Sequence, residues 1–167
     1  MNEILTKEQK AYGKKKYMTF SIFNGFSIAL LAEGTLILFA IKAGVPDFII
    51  GAMSSFLFLG MSFIFIGKIM VAKIGVSKTV ATAWFLRSIS TLVAVAGPIA
   101  LYYTSSLNLS IFLILIGAFG FYAFRGVGCI GWTPMLGELT SEVDRGRYNS
   151  KLFLFFNIAF TIKATTT

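Results

Sequence analysis

Four apolar segments, each of membrane-crossing length, alternate with short connections whose lysines and arginines fall almost entirely on one side. A helical span needs about 20 mostly apolar residues to cross a hydrocarbon core roughly 30 Å thick. Runs of that kind occupy 17–41, 48–67, 79–103 and 109–132, behind a basic tail over 1–16. A fifth run opens at Leu152 and by 162 is still too short to span, so it is expected to be the incomplete fifth helix of a truncated chain. The pattern predicts an all-α membrane protein, an antiparallel bundle of transmembrane helices filling 17–167.

Composition removes the main competitors. Soluble domains carry roughly 25% charged residues, and here the figure is 13%, against 56% hydrophobic. The first run exceeds a signal-peptide core of about 7–15 residues and has no small-residue cleavage site, so it should remain as a helix. A lone Cys129 and the lack of histidine leave no disulfide framework and no zinc site, and no metal or cofactor is expected. The net charge of +8 could suggest nucleic acid. Its concentration in the connections points instead to the lipid bilayer as partner.

Those connections set an orientation. Lys7, Lys10, Lys14, Lys15 and Lys16 precede the first span; Lys68, Lys73 and Lys78 follow the second; Arg145, Arg147 and Lys151 follow the fourth. The other side holds Lys42 and the uncharged 104–108 segment. Because cytoplasmic loops are enriched in lysine and arginine, the N-terminus is expected in the cytoplasm. Gly44-Val45-Pro46-Asp47 is turn chemistry, and Ser77 is a candidate N-cap for the third span.

Small and charged residues mark the helix faces. Helices in lipid associate through small residues that let backbones approach. Gly117, Gly120, Gly128 and Gly131 share one face of the fourth span, and Gly60 and Gly67 one face of the second. Within the spans sit Glu33, Arg87 and Arg125, and charges at such depth usually face protein or a water-filled cavity. Arg87 shares a stripe with Ala83, Ser90, Thr91 and Ala94 and reads as a buried charge, although it and Arg125 could also snorkel toward the interface. Glu33 is either a protonated residue hydrogen-bonded to a neighbouring helix or a cavity carboxylate that binds substrate or a proton. Asn24 is a further polar candidate on the first helix.

Two loops and one helix carry a resemblance. The residues from Gly67 through Lys73, Gly75 and Lys78 resemble the loop between the second and third helices of the major facilitator superfamily, roughly G-x-L-A-D-R-x-G-R-K. Lys73 falls on the family's arginine, Ala72 replaces its acidic residue, and Gly67 stands one position early. Arg125-Gly126-Val127-Gly128-Cys129-Ile130-Gly131 looks like the fourth-helix signature. Pro134 through Arg145-Gly146-Arg147 resembles the next cytoplasmic loop. The resemblance implies part of the family's N-terminal six-helix half, working by alternating access about a midplane site. It also implies a cytoplasmic gate of Lys73, Gly75, Lys78, Glu142, Asp144, Arg145, Gly146 and Arg147, with Arg125 shaping proton coupling.

The expected function is therefore secondary transport of a small solute of unknown identity, in a bacterial inner membrane. The missing C-terminal half of the carrier would be the partner, and the chain alone would not transport. A small multi-pass structural or assembly subunit is the alternative. An enzyme is not expected, because the acidic residues form no evident catalytic pair and Cys129 lacks a basic partner of suitable type.

Overall fold

Thr6 and Gln9 start the first helix by a reciprocal cap: the Gln9 amide donates to Thr6 Oγ1 at 3.3 Å, and the Thr6 amide donates to Gln9 Oε1 at 2.8 Å. Such a box satisfies amides that have no intrahelical acceptor. In this computed structural model, which describes residues 6–31 and 35–166, every element among the described residues is α-helix. They are α1 (Lys7–Leu31), α2 (Thr35–Lys42), α3 (Asp47–Ser62), α4 (Ile64–Ile74), α5 (Val76–Thr104), α6 (Leu107–Cys129), α7 (Trp132–Leu139) and α8 (Glu142–Thr166). Three of these stretches, Asp47–Ile74, Val76–Thr104 and Leu107–Cys129, are long and apolar enough to cross a membrane. The expected first span is shared by α1 and α2, on either side of residues that lie outside the description.

Several boundaries differ from the sequence reading. The basic segment 7–16 is helical, because the Thr6 cap starts α1 ahead of the apolar run. The second span continues to Ile74 through a slight break at Phe63. Gly67 is a packing residue within it and not an end. Ser77 does not cap α5. Gly75 holds the N-cap position with φ 85°, so the chain reverses within one residue and Ser77 lies exposed inside the helix. The loop expected after Pro134 contains α7, in which Pro134 occupies the first turn, where its missing N–H costs nothing. α8 begins at Glu142, well ahead of Leu152.

The chain divides into two compact units, one of Met1–Glu33 with Thr133–Thr167 and one of Gly34–Trp132. In the second, α6 is the central helix. Ascending positions on α6 meet descending positions on α5: Ser110 and Ile114 abut Gly97, Gly117 abuts Ala94, Gly120 abuts Ser90, and Gly128 abuts Ala83 and Trp84. The other side of α6 takes α3 and α4. A Cβ on Gly60 would stand 2.6 Å from the Tyr122 carbonyl, and one on Gly67 2.6 Å from the Val127 oxygen. Of the glycines expected to face neighbours, Gly117, Gly60 and Gly67 are thus places where backbones approach, whereas Gly120, Gly128 and Gly131 meet side chains. Phe119 adds edge-on contacts to Phe56 and Phe63, at 5.5 and 5.7 Å. α5 runs on through Pro98, which membrane helices tolerate.

In the first unit α1 presents Tyr17, Ser21, Asn24 and Ile28 as a buried stripe with alternating steps of four and three residues, the spacing that keeps one helix face against a neighbour. Tyr148 and Leu152 are buried on α8. The N-terminal turns of α1 and α8 lie side by side. The Tyr148 hydroxyl donates to the Lys14 carbonyl at 2.7 Å, and the Lys14 ammonium stands 5.9 Å from the Tyr148 ring centre.

Candidate functional site

The second unit places two arginines together between α5 and α6. Arg87 is one turn after Ala83 and one turn before Ser90 on the face that meets α6, so its side chain leaves the backbone toward protein. It is 4% exposed, which decides against snorkelling. Its guanidinium carbon lies 4.0 Å from the Trp84 ring centre and 4.7 Å from that of Phe121. The negative faces of two aromatic rings thus replace part of the hydration the cation gives up. Thr91, one turn on, donates its hydroxyl to the Arg87 carbonyl at 3.2 Å.

Arg125, one turn beyond Phe121, is half-buried and near enough for its charge to repel that of Arg87. Its side chain hydrogen-bonds Cys129, a turn further along α6. Chemically the cluster of Trp84, Arg87, Phe121 and Arg125 can hold an anion or a carboxylate through guanidinium groups.

The remaining candidates fall elsewhere. Glu33 lies outside the described residues. Asn24 is buried on α1, in the first unit. Lys73 ends α4, Gly75 separates α4 from α5, and Lys78 lies in the first turn of α5, all three exposed and all in the second unit. Glu142, Asp144, Arg145, Gly146 and Arg147 form the exposed first turns of α8 in the first unit. There Ser141 caps the helix, its hydroxyl bonding Asp144 Oδ2 at 3.1 Å and accepting the Asp144 amide at 3.3 Å. The sequence reading missed the ring partners Trp84 and Phe121. The three-residue step from Trp84 to Arg87 was a signal for the first. Comparison with family models, characterised proteins and solved structures finds no match to this chain.

Proposed function

We propose that the chain is a multi-pass protein of the bacterial inner membrane with a cytoplasmic N-terminus, and that it serves secondary transport of a small solute. The spans would form an antiparallel bundle resembling the N-terminal half of a major facilitator carrier. The observation that carries this reading is the paired arginines on a glycine-lined helix contact between two membrane-length helices. A purely structural bundle has no need of charge there, whereas a carrier needs a polar group whose surroundings differ between its two access states. The arginine pair, with its two ring faces, supports a solute that carries an anionic group. The order of basic connections and the loop resemblance support the orientation and the family.

A thermal-shift screen of metabolites on the full-length carrier tests this reading, followed by uptake of each hit in cells overexpressing that full-length carrier. A solute whose stabilisation and uptake are lost in Arg125→Gln is the expected result. A screen without hits, together with stoichiometric co-purification of another membrane protein, would replace transport by the assembly-subunit reading.

A further inference from the structure

Side by side, the N-terminal turns of α1 and α8 enclose an open cleft of about 330 Å³ lined by Lys14, Asp144, Arg147, Tyr148 and Lys151. Three cations face one carboxylate, and that carboxylate is engaged by the Ser141 cap. On α8 the cleft continues into a stripe at single-face spacing, Arg147, Lys151, Leu154 and Ile158. All four are exposed, Leu154 by 58% and Ile158 by 44%. The stripe therefore passes from two cations to two aliphatic side chains within about 17 Å of helix. That sequence of chemistries fits an amphiphile better than a soluble anion.

We infer that the α1–α8 cleft seats the phosphodiester headgroup of an anionic membrane lipid, with Lys14, Arg147 and Lys151 around the phosphate and an acyl chain along Leu154 and Ile158. Juxtamembrane basic clusters recognise anionic lipids by this combination of charge and depth. Tyr148 shapes the cleft floor, since its hydroxyl is committed to the Lys14 carbonyl. The inference rests on the membrane placement proposed above and is independent of transport.

Native mass spectrometry of the purified chain tests it, with three probes: dioctanoyl phosphatidylglycerol, dioctanoyl phosphatidylcholine and inorganic phosphate. Adducts are expected with phosphatidylglycerol and not with the other two. Combining Lys14→Gln, Arg147→Gln and Lys151→Gln should weaken the adduct by roughly tenfold or more. Combining Lys42→Gln, Lys68→Gln and Lys73→Gln, which removes the same charge from the second unit, should leave it. Should the first triple variant fail to fold, Lys151→Gln alone, at an exposed position, must still lower adduct occupancy. Equal adducts with phosphatidylcholine, displacement by inorganic phosphate, or equal losses in both triple variants would overturn the assignment. Because the readout involves no solute uptake, its failure leaves the transport reading standing, and the converse holds as well.

Discussion

Arg87 shows how a charge is accommodated where water is scarce. Two ring faces at 4.0 and 4.7 Å take the guanidinium plane, a geometry that a lysine ammonium cannot reproduce because it is a compact, strongly hydrated point charge. Arg87→Lys should therefore lower stability by about 1–2 kcal/mol, read as a fall in melting temperature in detergent. The emission of Trp84 should change as its stacked cation is lost. A lysine variant with wild-type melting and emission would show that charge alone suffices. Ser110 offers the opposite case. Its hydroxyl is buried at the Gly97 contact without a hydrogen-bond partner, so Ser110→Ala removes an unsatisfied group and should be neutral or stabilising by up to about 1 kcal/mol. A clear loss of stability in that variant would mean that the hydroxyl has a partner in the folded protein.

Between helices, fit is set by which glycines face a backbone. A side chain at Gly117 would run into the backbone of Ala94, while one at Gly51 meets nothing. Gly117→Leu should cost about 1–3 kcal/mol through overpacking, and Gly51→Ala should gain about 0.5–1 kcal/mol through helix propensity. Equal effects in thermal melts would refute the assigned contact face. This part of the fold was legible in the sequence, since the glycine spacing alone marked the α6 face. Helix ends were not. Ser77 looked like a cap because serine favours that position, yet a single positive-φ glycine two residues earlier had already turned the chain. The start of α8 at Glu142 was hidden for another reason: its first turns are charged, so hydropathy sees only the apolar part beyond Leu152. Trp84 and Phe121 could be read only as generic apolar residues until α5 and α6 were set in register.

The α1–α8 contact carries a pH dependence of defined sign. Burial raises the Tyr148 phenol above its ordinary value of 10.0. The folded state therefore retains a proton that the unfolded chain releases, and the associated stability is complete below pH 10.0 and lost as pH rises through the raised value. Melting temperature should fall more steeply above pH 10.0 in the wild type than in Tyr148→Phe, which keeps the ring and loses the ionisable hydroxyl. Parallel curves would assign the alkaline loss to other groups.

For the whole molecule, the decisive quantity is the placement of charge relative to the apolar helices. α5 has 29 residues and so extends about 43 Å, more than the roughly 30 Å hydrocarbon core. Its two ends must then lie in different aqueous compartments if it crosses the membrane. Lys73 and Lys78 flank one end, and the other has the uncharged turn around Ser105, so the proposed orientation expects Ser77 in the cytoplasm and Asn108 outside. Both residues are exposed. With Cys129 replaced by serine, a single cysteine at either position becomes a reporter. Asn108→Cys should react with a membrane-impermeant maleimide in intact cells, whereas Ser77→Cys should react only after lysis. Reversed labelling would invert the expected orientation of α5. Labelling of both sites in intact cells would remove α5 from the membrane, and with it the membrane placement on which the transport reading stands.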